Sequence, residues 1–257
     1  MKQFLQSLPK QMELSIIIVN YKTPKLTKNC VASIKKYPPK VPYEVIVIDN
    51  SIDNIGFAKA NNKGIRKAKG KYIFLLNSDT EVKKDAIKKL LRFAKENEDA
   101  GVVAPKLLNP DGSVQASAFR FPTIILTMRE YWFGERNLLS KYVPTTKTVE
   151  VAVTAAFLIT PGALEKVGLL NEKFFMFFEE FDYCRRVKAT GLKVYYLASA
   201  EVVHIHGASG KDLTDWANQW RRLIPSSKIY HGVIKHYIIF FIMWTSQKWQ
   251  KLLKILS

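Results

Sequence analysis

Short apolar runs alternate with amphipathic stretches along the first hundred residues of the chain. The run from Leu14 to Asn20 is continuous and rich in β-branched side chains, which is typical of a strand buried on both faces of a sheet. Similar runs extend from Tyr43 to Ile48, Tyr72 to Leu76 and Gly101 to Pro105. Helical spacing of apolar residues between these runs predicts a right-handed, mainly parallel α/β sheet flanked by helices.

The boundaries of the predicted helices carry recognisable signals. Thr23 and Pro24 suit the cap and the first position of a helix that ends before Pro38. Further helices are predicted from Ala58 to Lys69 and from Lys84 to Glu96.

The second half of the chain has a less regular pattern. From Phe119 to Thr148, aromatic residues and prolines are mixed without a clear period, and we expect long loops there. A strand is predicted from Glu150 to Thr160. The remaining predicted elements are helices at Pro161 to Val167 and Glu180 to Ala189, and strands at Lys193 to Leu197 and Val202 to His206.

The chain changes character after residue 226. The apolar run from Tyr237 to Trp244 is followed by lysines interspersed with leucine and tryptophan. We expect a globular domain over residues 1–226 and, over 227–257, one or two helices whose broad apolar face is bordered by basic residues. This segment either lies on an anionic membrane surface or packs against the domain or a second subunit. The apolar run is too short to span a bilayer.

The composition limits the broad class of protein. With 47% hydrophobic and 12% aromatic residues in 257, the chain is expected to fold around a sizeable core. Forty basic residues against 22 acidic ones give a net charge of +18, which favours polyanionic partners. Cys30 and Cys184 lie in apolar helical patterns and are expected to be buried and reduced. The N-terminal residues lack a secretory signal, so we expect a cytoplasmic protein.

Polar residues follow three of the predicted strands. Asn20, Asp49 and Asp79 each come at or just after a strand end, and the carboxyl ends of parallel strands meet at one edge of a sheet, where ligands bind. Asp79, with Asn77 and Ser78 beside it, is suited to hold a hard divalent cation through oxygen atoms.

Two further clusters carry groups capable of chemistry. Glu179, Glu180 and Asp182 are surrounded by phenylalanines at the start of a helix, where apolar contacts raise the pKa of a carboxyl group and the helix terminus lowers it. His204 and His206 share one face of a strand, so either is a candidate ligand of a metal or a phosphate.

In order along the chain, these segments resemble the inverting nucleotide-sugar glycosyltransferases of the GT-A fold, in the rhamnosyltransferase-like branch of the family that includes cellulose and chitin synthases. The similar segments are SIIIVNY (15–21), VIVIDNS (45–51), NIGFAKANNKGI (54–65), YIFLLNSDTEV (72–82), PKLLNPDGSVQ (105–115), FFMFFEEFDYCRR (174–186) and VVHIHGAS (202–209). They cover roughly 190 residues.

The resemblance implies a role for each of these segments. Asp79 would bind Mg²⁺ or Mn²⁺ and the diphosphate, with His204 as a second metal ligand. His206 stays a further candidate ligand of metal or diphosphate because it lies nearer the strand end. Glu180 aligns with the catalytic base of the family, with Glu179 and Asp182 as alternatives. The residues implied in nucleotide-sugar binding are Asn20, Tyr21, Asp49, Asn50, Gly56, Phe57, Ala58, Asn61, Asn77, Ser78 and Asp79.

The implied function is metal-dependent, inverting transfer of a sugar from a UDP- or dTDP-sugar to a saccharide or lipid-linked acceptor, in cell-surface polysaccharide or glycolipid synthesis. Such an enzyme would be peripheral on the inner face of the cell membrane. The alternatives are a basic nucleic-acid-binding protein, for which no reader motif is present, a nucleotidyltransferase, whose glycine-rich loop is absent after the first strand, and an inactive nucleotide-sugar binder.

Overall fold

A computed structural model describes residues 11–135, 145–205 and 216–256, with side chains for all of these except 216–222 and 252–256. The elements, in chain order, are β1 (Leu14–Asn20), α1 (Pro24–Lys36), β2 (Tyr43–Asp49), α2 (Phe57–Ile65), β3 (Tyr72–Asn77), β4 (Thr80–Val82), α3 (Ala86–Glu96), β5 (Ala100–Leu108), β6 (Val114–Gln115), β7 (Ala118–Phe119), α4 (Ile124–Tyr131), β8 (Lys147–Val149), β9 (Val151–Ala152), β10 (Ala156–Ile159), α5 (Pro161–Val167), α6 (Glu179–Ala189), β11 (Lys193–His204), α7 (Trp216–His231) and α8 (Val233–Leu256).

The main sheet of the described residues has the order β2-β1-β3-β10-β5-β11-β4, with β6 beside β5 and β8 beside β11. Strands β1, β2 and β3 are parallel, and so are β5 and β11. The predicted α/β class is therefore confirmed, and the sheet is mixed.

Strand β10 runs antiparallel between β3 and β5, so the two parallel groups do not touch directly. Its first residue, Ala156, pairs with Leu76 near the end of β3. The start of β10 therefore lies at the edge where β1, β2 and β3 end.

Helices cover both faces of the sheet because successive strand residues point in opposite directions. Ile16 and Ile18 pack in one buried cluster with residues of α1 and α3, whereas Ile17 packs in a second with residues of α2 and α6. Both cysteines are buried and free, as predicted, and burial raises the pKa of each thiol to about 12.

Helix α2 ends at Ile65, four residues before the predicted end at Lys69. The amide groups of Lys69 and Gly70 donate to the side chains of Glu44 and Ser15 instead of to helical carbonyls. A Cβ atom on Gly70 would lie 2.4 Å from the Ser15 nitrogen, so this segment leaves the helix to approach the sheet.

The prediction of long loops from Phe119 to Thr148 is wrong in part, because α4 and β8 lie within this stretch. Thr123 caps α4 by accepting a hydrogen bond from the Leu126 nitrogen. No helical period is apparent because the exposed face of α4 also carries apolar side chains, such as Ile125 and Met128.

Two predicted strand assignments also differ from the structure. The stretch from Glu150 to Thr160 contains β9 and β10, which are separated by residues 153–155. The two strands predicted from Lys193 to Leu197 and from Val202 to His206 form one strand, β11, whose pairing with β5 shifts between Leu197 and Glu201.

The C-terminal segment consists of two helices. Helix α7 begins at Trp216, so the predicted boundary at residue 226 lies inside a helix. Helix α8 packs against α4 and α7. Among the described residues, every helix is too short or too polar to cross a membrane.

Candidate active site

Asn20, at the end of β1, joins three elements. It lies opposite Asp49 in the β1–β2 register. Its Nδ2 donates to Asp49 Oδ1 at 3.2 Å and to Ser51 Oγ at 3.3 Å, and its Oδ1 accepts hydrogen bonds from Thr23 N and Thr27 Oγ1 at 3.1 Å each. The amide of Asn20 therefore fixes the strand ends relative to α1.

The predicted capping role of Thr23 needs correction. Thr23 occupies the cap position of α1, but its side chain makes no capping hydrogen bond. Its hydroxyl lies 3.0 Å from Ser78 Oγ, which links the start of α1 to the loop after β3.

Asp49 lies at the exposed end of β2. The Ser51 hydroxyl, the Ser51 amide and Asn20 donate hydrogen bonds to its carboxylate and lower its pKa below the usual range. Asp49 is thus kept ionised and presents its carboxylate to solvent beside the strand ends.

The turn after β2 is shaped by two asparagines and a glycine. Asn50 Oδ1 accepts from the Ile55 nitrogen, its Nδ2 donates to Asn54 Oδ1, and the latter also accepts from the Gly56 nitrogen. Gly56 has a φ of +88°, and a Cβ atom there would lie 2.6 Å from the carbonyl oxygen of Phe175. Only glycine fits this close approach.

Five residues of the nucleotide-binding prediction do not line the cavity described below: Asn20, Asp49, Ala58, Asn61 and Asp79. Ala58 is buried in the core, and Asn61 donates to the Phe57 carbonyl within its own helix. The neighbouring Asn62 was not singled out by the sequence. It exchanges hydrogen bonds with the backbone of Leu170, which ties α2 to the segment before α6.

Asp79 and His204 form the first pair of interacting groups in the site. Asp79 is buried after β3, and its backbone oxygen accepts from the Ile205 nitrogen at 2.9 Å. Its Oδ1 lies 3.5 Å from His204 Nε2 and makes no hydrogen bond within the described part of the chain. A buried carboxylate oxygen in this state is suited to a cation.

A hydrogen-bonded chain orients the imidazole of His204. Its Nδ1 lies 2.7 Å from Gln115 Oε1, and Gln115 Nε2 donates to Asn109 Oδ1. The second bond sets the orientation of the Gln115 amide, so Nδ1 of a neutral His204 carries the proton. The lone pair of Nε2 then faces Asp79, as in metal-binding histidines whose other nitrogen donates a hydrogen bond. These residues fit a divalent cation.

Glu179 and Glu180, at the start of α6, form the second pair. Glu179 is buried and accepts a hydrogen bond from the hydroxyl of Thr154. Glu180 is partly exposed as a residue. Within the described residues, Oε2 of each glutamate is buried without a hydrogen-bond partner.

The surroundings of this pair favour the protonated carboxyl. Burial raises the pKa of Glu180 to about 7. Burial, and after it the charge of Glu180, raises the pKa of Glu179 well above its usual value. Two adjacent carboxyl groups in such surroundings do not ionise together near neutral pH. One of the pair is therefore poised to accept a proton.

Asp182 lies in a different environment. Its carboxylate pairs with Arg186 Nε at 2.8 Å and with Arg185 at 3.5 Å. Arg186 also donates to the carbonyls of Val167 and Leu169. This network around the buried Asp182 carboxylate connects α6 to the end of α5, and it occupies the oxygens that a base would need.

The segment before α6 is held in an unusual conformation. Phe177 and Phe178 have φ values of 70° and 67°, a region that costs non-glycine residues free energy. Ser226 Oγ on α7 donates to the Met176 carbonyl at 2.7 Å, and the ring of Tyr230 lies 5.2 Å from that of Phe178. Helix α7 thus fixes the loop that leads to the glutamates.

One cavity of about 600 Å³ brings these groups together. It is lined by Val19, Tyr21, Asn50, Asn54, Gly56, Phe57, Asn77, Ser78, Asn109, Gln115, Ala116, Phe119, Val153, Thr154, Ala155, Phe175, Met176, Phe177, Glu179, Glu180 and His204. Asp79 is not part of the lining but contacts His204, which is. Asn20 and Asp49 lie at the same strand ends, outside the lining, and the predicted His206 lies outside the described residues.

Sequence reasoning missed the roles of Asn109 and Gln115. Both belong to the segment PKLLNPDGSVQ, which runs from β5 through a turn into β6. The pairing of Gln115 with Leu107 carries its side chain to His204. The polar residues around this turn were the available signal, but a turn explains them equally well without a site.

Comparison with known proteins finds similarity over the middle of the chain. The sequence model described as "Glycosyl transferase family 2" matches residues 51–158. This part of the chain is therefore similar to that family. The matched residues include Asp79 and Gln115 but neither Glu180 nor His204.

Proteins similar to this chain include the low-salt glycan biosynthesis hexosyltransferase of Haloferax volcanii, which is 27% identical over 75% of this chain and 67% of its own. The N-acetylglucosaminyl-diphospho-decaprenol L-rhamnosyltransferase of Mycobacterium tuberculosis is 27% identical over 52% of this chain and 46% of its own. The dTDP-rhamnosyl transferase RfbF of Shigella flexneri is 24% identical over 77% of this chain and 62% of its own. The chain spans about half to two thirds of the length of these relatives.

Solved structures support the fold of this chain. GalNAc-T7 with UDP, GalNAc and Mn²⁺ superposes with a TM-score of 0.59 at 16% identity, covering 76% of this chain and 44% of that one. Residues 1–349 of TarS from S. aureus give a TM-score of 0.56 at 14% identity, covering 91% and 71%. The fold is GT-A, as the sequence predicted, and helices follow it at the C-terminus.

Proposed function

We propose that this protein is an inverting glycosyltransferase that depends on Mg²⁺ or Mn²⁺. It would move a sugar from a UDP- or dTDP-sugar to a saccharide or a lipid-linked acceptor. The observation that carries the proposal is the arrangement of one cavity, with the Asp79–His204 pair beside it and the Glu179–Glu180 pair in its wall.

Asp79 and His204 are the proposed metal ligands. One carboxylate oxygen and one imidazole nitrogen leave room for further ligands from the donor diphosphate and water. The described residues contain no cluster of three or more His, Cys, Asp or Glu side chains that would hold a metal without such help. The cation, when bound, neutralises charge on the departing nucleoside diphosphate.

Glu180 is the proposed general base. Its pKa of about 7 lies near a working pH, which is where a general base is most effective. It accepts the proton of the acceptor hydroxyl while the acceptor oxygen bonds to the anomeric carbon and the bond from that carbon to the diphosphate oxygen breaks. Burial of Glu179, and after it the charge of an ionised Glu180, raises the pKa of Glu179 and favours its protonated form beside the base. A single displacement of this kind inverts the anomeric centre.

The nucleotide is proposed to lie along the ends of β1 and β2. Tyr21, Asn50, Gly56 and Phe57 supply this part of the cavity wall, and Asn77 and Ser78 continue it toward Asp79. We propose that the exposed carboxylate of Asp49 and the amide of Asn20 contact the ribose or base at the rim.

The choice of donor and acceptor follows the relatives. One relative is named for a dTDP-rhamnosyl donor and another for a decaprenol-linked acceptor. A lipid-linked acceptor would place the enzyme on the cytoplasmic face of a membrane, in the synthesis of a surface polysaccharide or glycolipid.

Calorimetric titration with UDP, dTDP and GDP, each with and without Mn²⁺, tests the proposal. We expect one of these nucleotides to bind at least about tenfold more tightly when the metal is present, because the cation screens the diphosphate. Absence of metal-dependent binding for all three would exclude the proposed function.

Asp79→Asn provides the matching variant, since it removes the charge while preserving shape. We expect it to abolish the effect of Mn²⁺ and to leave weak metal-independent binding unchanged. Glu81→Gln, two residues away on the exposed side of β4, is the control and is expected to bind as the parent does.

A further inference from the structure

Helices α4 and α8 form one apolar surface, of which the sequence predicted only the part on the C-terminal helix. The surface comprises Ile124, Ile125, Met128, Trp132 and Phe133 from the α4 region and Ile234, Tyr237, Ile238, Phe241 and Trp244 from α8. We call it the α4–α8 surface. A groove of about 940 Å³ runs between the two helices and is lined by Ile124, Met128 and Trp132 on the α4 side and by Ile234, Tyr237, Ile238, Phe240, Phe241, Ile242 and Thr245 on α8.

The two helices are held together as a unit. Ser246 Oγ on α8 donates to the Tyr131 carbonyl at the end of α4, and Gln250 Nε2 approaches the same oxygen. On the inner face of α8, His236, Ile239 and Ile242 are buried. Packing against the protein therefore accounts for only one face of α8.

The opposite face of α8 is apolar as well, which is unusual for a helix in contact with water. Ile234 is 80% exposed and Phe241 is 61% exposed, while Ile125 and Phe133 on the α4 side are each 71% exposed. Side chains of this size at such exposure on adjoining helices indicate a binding surface.

Charge identifies the partner of this surface. Residues 216–257 contain seven Lys or Arg residues and no Asp or Glu. Lys228 lies 4.8 Å from the ring of Tyr237, and Lys248 lies 5.9 Å from the ring of Trp244, so cations border the apolar side chains. Apolar and aromatic side chains with lysines at their edge match the boundary between the acyl chains and the headgroups of an anionic bilayer. A second copy of the same basic surface would be repelled.

We propose that the α4–α8 surface docks the protein on an anionic lipid bilayer, with α4 and α8 both inserted at the level of the headgroups. This inference deepens the proposed function, because it rests on a lipid-linked acceptor for its purpose. The physical basis of the inference is, however, the α4–α8 surface itself. The inference differs from membrane binding by the C-terminal segment alone because it requires the side chains of α4 as well.

Co-sedimentation of the full chain with vesicles tests the proposal. We expect binding to vesicles of phosphatidylcholine mixed with phosphatidylglycerol and weak binding to phosphatidylcholine alone. The double variant Ile125→Ser/Phe133→Ser on the α4 side is expected to lower the partition coefficient by more than about tenfold, because both side chains would lose their apolar contact with lipid.

Two further variants separate the contributions. Lys228→Gln and Lys248→Gln are each expected to weaken binding to anionic vesicles by about fivefold, with little change on neutral vesicles. Ile52→Ser, at a residue that is 91% exposed on another part of the surface, is the control and is expected to bind as the parent does.

The outcomes are distinct. Unchanged vesicle binding of the α4 double variant would overturn the proposal, as would a dimer that this variant converts to a monomer in sedimentation equilibrium. Nucleotide titration of the same variant separates this result from the proposed function. If metal-dependent nucleotide binding persists while vesicle binding is lost, the docking surface is supported. If nucleotide binding is absent in the parent as well, the transferase proposal fails independently.

Discussion

The two pairs of ionisable groups in the cavity differ in what surrounds them. Asp79 and His204 are connected to a chain of polar partners through Gln115 and Asn109, whereas Glu179 and Glu180 lie among aromatic side chains with few hydrogen bonds. The polar partners direct the lone pairs of Asp79 and His204 at a common point. The apolar surroundings raise the pKa of Glu179 and Glu180. The comparison teaches that one cavity provides two opposite environments, of which the first is suited to charge neutralisation and the second to proton transfer, the two steps of the proposed reaction.

The largest expected effect comes from Glu180→Gln, which removes the base and keeps the shape. We expect kcat to fall by about 100- to 10,000-fold with metal-dependent nucleotide binding unchanged, because a general base contributes that much to rate. Steady-state kinetics and nucleotide titration on the same preparation measure the two quantities.

Glu179→Gln is the matched control for this prediction. Because Glu179 is expected to stay protonated, glutamine mimics its working state and the rate should change only a few-fold. A reversed pattern, with Glu179→Gln inactive and Glu180→Gln active, would assign the base to Glu179.

A smaller effect is expected on the metal side from Gln115→Leu. This variant removes the acceptor that fixes the His204 tautomer, and such indirect partners typically contribute about 10- to 100-fold to metal affinity. Titration of nucleotide binding against Mn²⁺ concentration gives the affinity. Nucleotide binding without metal is expected to be unchanged, and equal Mn²⁺ affinity in parent and variant would show that Gln115 does not orient the histidine.

The pH dependence of the parent provides the next test. The pKa of Glu180 is raised to about 7 by burial, so kcat should rise with pH through about 7 as the carboxyl loses its proton. Stability should change in the opposite direction. The folded state holds this proton more tightly than the unfolded chain does. The resulting contribution of Glu180 to the free energy of unfolding is therefore complete below the usual glutamate pKa and is lost as pH rises to about 7.

Denaturant unfolding at several pH values measures this loss. The quantity of interest is the difference in unfolding free energy between Glu180→Gln and the parent. We expect this difference to shift in favour of Glu180→Gln by roughly 1–3 kcal/mol between acid pH and pH above 7. Parallel stability profiles of the two proteins would contradict the raised pKa of Glu180.

The smallest effect is expected from Ser226→Ala on α7. It deletes the hydrogen bond to the Met176 carbonyl, which contributes about 1 kcal/mol to stability. We expect kcat to fall a few-fold and nucleotide affinity to stay constant, because only the loop before Glu179 is loosened. Ser199→Ala, at an exposed residue of β11, is the control; a fall in nucleotide affinity with constant kcat would place the effect of Ser226→Ala elsewhere.

Local pattern predicted the first half of the fold well. Strands β1, β2 and β3 are continuous apolar runs that end in polar residues, and their parallel pairing follows from the helices between them. Strand β10 could not be placed in the same way, because four buried residues carry no information on which strands they will separate. Helix α4 escaped detection because its exposed face is apolar and so breaks the amphipathic pattern.

The candidate site was predicted to a similar extent. Residues at strand ends, such as Asp79, were identified because strand geometry alone brings them to one edge. The sequence does not separate Glu180 from Asp182, since the same helix start carries both, and the proposal of Glu180 as the base rests on the arginine contacts of Asp182 that the structure shows. Gln115 acts through a contact between distant segments, and sequence spacing does not record such contacts.

The reversed direction of β10 has a consequence for how the cavity is assembled. A parallel strand would deliver only the residues that follow it to this edge, but β10 delivers those that precede it, Val153, Thr154 and Ala155. The Ala155 carbonyl accepts a hydrogen bond from the Asn77 nitrogen, so the residues that lead into β10 are tied directly to the end of β3. Changing the length of the approach to β10 would reshape the cavity mouth, whereas equal changes beyond Ile159, at the strand's far end, would leave it untouched.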